Sequence, residues 1–134
     1  MTSLRVAQAA TFLGVSDDTV RRWIEQGALT GHKNPAGHTV VDGSELAQLV
    51  RRNAVNPEDP AKVGSSARNR LVGLVTAVTS DRVMSQVELQ CGPHRIVSLM
   101  STEAVQDLGL EPGSVATAVV KSTAVIVETE GRTC

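Results

Sequence analysis

The chain has 134 residues, 41% of them hydrophobic, with one Trp, one Phe, no Tyr and a formal net charge of -1. That length holds one domain or two small ones, and the core must be built from Val, Leu, Ile and Ala. A balance so near neutrality excludes a protein that coats nucleic acid by bulk charge; the sequence also shows neither a run of about 18 apolar residues nor a secretory leader, so a cytoplasmic protein with no membrane span is expected.

Residues 1–56 carry six Lys/Arg against five Asp/Glu, and the remainder seven against nine, so any DNA affinity has to come from locally placed cations. Cys91 and Cys134 have neither framework nor metal spacing and read as free thiols of a reducing compartment. His32, His38 and His94 lack companions for zinc, and the chain has no phosphate-binding glycine loop or nucleophile elbow, so neither a metal cation nor an enzyme is expected.

In LRVAQAATFLGV, the residues Val6, Ala9, Ala10 and Leu13 fall at helical spacing, and Gly14 supplies the turn that ends a short helix. Ser16 is a good N-cap for SDDTVRRWIEQ; Asp17 and Asp18 suit the positive end of its dipole, and Gly27 stops it. On this second helix Val20, Trp23 and Ile24 share the core-facing side. Asp18, Arg22 and Glu25 lie opposite, with Thr19 and Arg21 on the flanks. Such a face either enters a major groove or is simply solvated. The segment ALTGHKNPAGHTVVDGSELAQLVRR then reads as two short strands about a PAG turn and a third helix capped by Ser44.

The order of turn glycine, capping serine, TVRRW, end-helix glycine, GH and SELAQLV resembles the winged helix-turn-helix of mercury regulators (MerR) and phage excisionases, over about residues 3–52. The resemblance implies a mainly helical DNA-binding domain. In it Arg21 and Arg22 bind DNA from the recognition helix, whose exposed face also offers Thr19 to base edges and phosphates, and Lys33 and His38 touch the backbone or minor groove from the wing. One departure is Thr39, which stands where the family often has a basic residue after the wing histidine.

NAVNPEDPAKVGS, with two prolines, one glycine and no apolar period, has the composition of a flexible connector. Domains are accordingly expected over 1–53 and 65–134, joined by a linker over 54–64.

Past the connector, alternation replaces the helical period. LVGLVTAVTS, a DR turn and VMSQVELQC make a hairpin in which Val83, Ser85, Val87 and Leu89 alternate with Met84, Gln86, Glu88 and Gln90. RIVSLM is a third strand, and SVATAVVKS and AVIVET are the fourth and fifth. Five strands fit a small closed barrel, since closure removes exposed edges. One helix, TEAVQDL, is capped by Ser101 and closed by Gly109, and Gly73, Gly109 and Gly113 are expected to be structural. The fold class is α+β: a winged helix-turn-helix followed by a five-stranded OB-like barrel with one short helix.

SARNRLVGLVTAV, a strand pair, STEAVQDLGLEPGSV and VVKSTAV together resemble the molbindin (Mop, TOBE-type) domain over residues 65–129, and its union with a winged DNA-binding half is similar in layout to ModE regulators. The resemblance implies a molybdate or tungstate oxyanion held by Ser66, Arg68 and Lys121, with the backbone amides of Ala67 and Ser122 as further donors. It also implies that Ser101 reaches the anion from a neighbouring subunit. Cationic and hydroxyl donors suit a tetrahedral dianion. A serine common in relatives is here Ala104, which removes one donor.

The resemblance implies a homo-oligomer, a hexamer built as a trimer of dimers or else a dimer. The expected function is a molybdate-responsive transcription regulator on double-stranded DNA. An intracellular molybdate store with a vestigial DNA-binding half is the alternative, and a DNA binder whose barrel only oligomerises it is a third reading.

Overall fold

The computed structural model describes residues 2–131, so Cys134, read from the sequence as a free thiol, lies outside the described residues. The chain divides into two compact units, one ending at Val55 and the other beginning at Asn56.

The first unit runs β1 (Ser3–Arg5), α1 (Val6–Leu13), α2 (Asp17–Glu25), β2 (Gly31–Lys33), β3 (Thr39–Asp42) and α3 (Gly43–Asn53). Gly14 closes α1 in the left-handed region at φ 70°, with its N–H on the Thr11 carbonyl, and the Val15 N–H returns to Ala10. A side chain is strained there, whereas glycine is not, which makes the tight turn between the helices possible. Ser16 caps α2 as expected, its hydroxyl accepting from the Thr19 N–H at 3.2 Å. Ser44 does not cap α3. The cap is Asp42, whose Oδ2 accepts from the Glu45 N–H and from the Ser44 hydroxyl, because the helix begins one residue before Ser44.

The two strands about the PAG turn form as β2 and β3, pairing Lys33 with Thr39 and Gly31 with Val41. Three residues of β1, too short to show a period, join the far side of β3 and pair Leu4 with Val41, giving the order β1-β3-β2. Val20, Leu29 and Val41 are fully buried beneath this sheet and the helices, with Trp23 and Ile24 partly buried against them. Each fully buried Val or Leu contributes about 1.5–3 kcal/mol by leaving water.

The second unit contains β4 (Asn69–Ser80), β5 (Met84–Cys91), β6 (His94–Ser101), α4 (Thr102–Leu108) and β7 (Val115–Val120), followed by a 3-10 turn at Ser122–Ala124. The antiparallel sheet has the order β6-β5-β4-β7. β4 is long and pairs with β7 over its first half and with β5 over its second, and an irregularity between Val75 and Ala77 marks the bend. This curl fits an OB-like fold. Ser85, Val87, Leu89 and Cys91 turn inward on β5, whereas Val83 precedes the strand and is exposed.

Among the described residues the second unit has four strands where five are expected. AVIVET starts on the last residue of the 3-10 turn, Ala124, and lies outside any ladder, and Val125, Ile126 and Val127 are 46%, 85% and 83% exposed. A run of β-branched residues favours an extended backbone, but a strand also needs a partner edge. Among the described residues AVIVET has none, and the sheet keeps two open edges, β6 and β7.

Candidate functional site

In the first unit, a cleft of about 710 Å³ opens between the starts of α1 and α2 and the β2–β3 hairpin. It is lined by Arg5, Gln8, Asp17, Arg21, Lys33 and His38, among others. Three of the five residues expected to face DNA, namely Arg21, Lys33 and His38, therefore share one concave surface. Lys33 is steadied by donating from Nζ to Thr39 Oγ1 at 3.0 Å, so the threonine that replaces a basic residue in the sequence orients the neighbouring lysine. His38 is held in the turn by its N–H on Asn34 Oδ1 at 2.9 Å.

Thr19 and Arg22 do not line this cleft. The Thr19 hydroxyl is 3.0 Å from Ser16 Oγ in the first turn of α2, and Arg22 is exposed in the last turn. Arg5 and Gln8 were missed by sequence reasoning, because their place in the cleft depends on β1 pairing with β3. The only local signal is an arginine at a helix start.

In the second unit, Asn69 and Val120 are the outermost pair of the β4–β7 ladder, and Asn69 Nδ2 also donates to the Val120 carbonyl at 3.2 Å. Arg68 and Lys121 stand one step beyond that pair, on adjacent chain ends, with Ser66 and Ala67 before the first and Ser122 after the second. Both cations are on exposed residues and neither forms a salt bridge among the described residues. The Ala67 amide already donates to Ser65 Oγ at 3.1 Å.

Arg70, two residues further along β4, is handled differently. Its Nε donates to Asp59 Oδ2 at 2.9 Å, while Asp59 Oδ1 accepts from Thr117 Oγ1 at 2.6 Å and from the Ala61 N–H at 2.8 Å. The Arg70 bond first, then those from Thr117 and Ala61, hold the Asp59 carboxyl below its ordinary 3.8, at about 2. Arg70 is thereby paired, whereas Arg68 and Lys121 at this end of the sheet form no salt bridge among the described residues.

Ser101 is not brought to them. It ends β6 opposite Met84, beside the β4–β5 turn, where its hydroxyl accepts from the Ala104 N–H at 3.0 Å and caps α4. β4 runs twelve residues from the Arg68 end to that turn, about 40 Å before curvature at roughly 3.3 Å per residue. No group of three His, Cys, Asp or Glu able to hold a metal ion occurs among the described residues, and none of their helices is long and apolar enough to cross a membrane.

A TOBE domain model matches residues 65–127 and a helix-turn-helix domain model matches residues 3–54. Molybdenum-pterin-binding protein 3 of Clostridium pasteurianum is 41% identical over 63 residues, 46% of this chain and 93% of the relative. The molybdenum transport protein ModE of Herbaspirillum seropedicae is 36% identical over 86 residues, 63% of this chain but only 29% of that protein. Among solved structures, MopII from Clostridium pasteurianum is 39% identical, covering 49% of this chain and all of that one, with a TM-score of 0.46.

Proposed function

The chain belongs to the TOBE-domain family of Mop proteins, with a helix-turn-helix domain in front of the TOBE domain, and we propose that it is a molybdate- or tungstate-responsive transcription regulator of the cytoplasm. The observation that carries this reading is the juxtaposition of Arg68 and Lys121 at the end of the β4–β7 ladder, both free of carboxylate partners among the described residues. Two cations with the hydroxyls of Ser66 and Ser122 form a donor-only surface. Such a surface matches a dianion that can accept hydrogen bonds and donate none. The amides of Ala67 and Ser122 add donors once Ala67 exchanges its bond to Ser65. This is binding chemistry and not catalysis.

Ser101 completes the site from a neighbouring copy, which accounts for its distance from Arg68 and Lys121 within one chain. The open edges of β6 and β7, the exposed Val125–Val127 segment and an apolar groove of about 540 Å³ beside β7 support a homo-oligomer. A trimer of dimers is favoured over a simple dimer. The first unit is the winged DNA-binding module. It presents Arg21, Lys33 and His38 from one cleft, with Thr19 and Arg22 reaching the duplex from the rest of the recognition helix, and anion occupancy changes how paired modules meet double-stranded DNA.

A molybdate store is the second reading, favoured by a relative that consists of little beyond the 63 shared residues. Coupling separates the two, since regulation requires each ligand to change the other's affinity by the same factor. Calorimetric titration with molybdate and with tungstate, with sulfate as control and assembly mass recorded, followed by duplex binding with and without molybdate, tests both. Selective molybdate binding coupled to DNA affinity supports the regulator. Selective binding with no coupling leaves the store, and failure to bind either molybdate or tungstate overturns both.

A further inference from the structure

α2, α3 and α4 open on Ser16, Asp42 and Ser101, each with a side-chain oxygen accepting a backbone N–H of the first turn. α1 opens on Arg5, which carries no acceptor and sets a positive charge against the positive end of the helix dipole. The turn relies on Gln8 instead, whose Oε1 accepts from the Arg5 N–H at 3.1 Å. Local stability therefore favours Ser, Thr, Asp or Asn at position 5, and the fold does not account for arginine. Nor does an ion pair: Arg5 is exposed and forms none among the described residues. What it does share is the cleft with Arg21 and Lys33. A residue that breaks a local rule without local compensation is expected at a functional site.

We propose that Arg5 is a further phosphate-contacting residue of the nucleic-acid interface, binding the sugar–phosphate backbone across the cleft from Arg21 and Lys33. This rests on the first unit being a DNA-binding module. The guanidinium fork suits a phosphodiester bidentately, and such a contact fixes position without reading sequence. Arg5 belongs both to β1, held to the sheet, and to the start of α1, so it anchors the module while α2 lies against the bases. Asp17, the carboxylate in the same cleft, disfavours a second phosphate at its own position and so narrows where the backbone can lie.

The test uses the full chain and a fluorescein-labelled duplex of mixed sequence, with anisotropy followed from roughly 50 to 200 mM salt. Arg5→Ser is expected to weaken binding about ten-fold and to reduce the slope of log affinity against log salt by about 0.9. Because serine is the better cap, the thermal midpoint of the variant is expected to hold or rise. Arg5→Lys keeps the slope, and Arg82→Ser, in the β4–β5 turn, behaves as wild type. If Arg5→Ser keeps the wild-type slope while Arg21→Ser loses affinity, the DNA-binding reading stands and the Arg5 proposal is overturned. A lower thermal midpoint with an unchanged slope also overturns it, since Arg5 is then structural only. Failure of the wild-type chain to bind the duplex overturns the DNA-binding reading itself.

Discussion

Asp59 Oδ2 lies 2.9 Å from Arg70 Nε, and the same carboxylate accepts from Thr117 on β7, so a residue of the proline-containing connector is fastened across the β4–β7 pair. The clasp engages Arg70, whereas Arg68 and Lys121 beyond the same end of the ladder form no salt bridge among the described residues.

The clasp is expected to be acid-sensitive. The folded-state pKa of Asp59 is depressed to about 2 from 3.8, so the stability it contributes is fully present above 3.8 and is lost as pH falls through about 2. Asp59→Asn should lower the thermal midpoint of the second unit at neutral pH. It should also show a smaller decline than wild type between about pH 4 and 2, where Asp81 of the same unit, depressed by the hydrogen bonds from the Met84 and Val83 amides, still contributes its own. Parallel acid curves for the two proteins would remove the clasp from the account.

Replacing Arg68 and Lys121 together by alanine should abolish molybdate binding measured by calorimetry. Each charged hydrogen bond is worth about 1.5–3 kcal/mol, so each single variant should lose roughly ten-fold or more. The first unit should stay folded by circular dichroism. Retained affinity in the double variant would refute the site, and sulfate bound as tightly as molybdate would refute its selectivity.

Subunit mixing examines the role of Ser101. Ser101→Ala should weaken molybdate binding and also cost about 0.5–2 kcal/mol through the lost α4 cap. Refolding it together with the Arg68→Ala, Lys121→Ala variant should recover a fraction of full-affinity sites, because one chain then supplies the cations and the other the serine. If mixtures never exceed the two variants measured apart, Ser101 does not act across subunits.

Gly73→Ala should destabilise the second unit specifically. A Cβ at Gly73 would collide with the Gln90 carbonyl oxygen and stand 2.6 Å from Cys91 Sγ, where β4 crosses the end of β5. Overpacking of this kind typically costs about 1–3 kcal/mol. Differential scanning calorimetry should show the loss in the transition of the second unit alone, and an unchanged midpoint would mean that the strands separate there without cost.

Much of this was legible from local residues. Gly14, Ser16, Ser101 and Gly109 end or begin helices where the sequence places them, because a left-handed glycine or a capping hydroxyl acts within three or four residues of itself. The inward side of β5 follows from its period of two. The Ser44 expectation failed for a comparably local reason: Asp42 and Ser44 are both capping residues two apart, and the helix start decides between them.

The sequence by itself determined the helices, most of the strand segments and the resemblance to the Mop family, because each depends on neighbours in the chain or on motifs read in order. Only the tertiary structure decided that AVIVET stays out of the sheet, that Arg5 joins Arg21 and Lys33, that Asp59 silences Arg70, and that Ser101 stands at the opposite end of the sheet from Lys121. Those relationships depend on which strand edges meet. Asp59 and Thr117 are 58 residues apart, and no local pattern reports a contact made only when β4 and β7 close against each other.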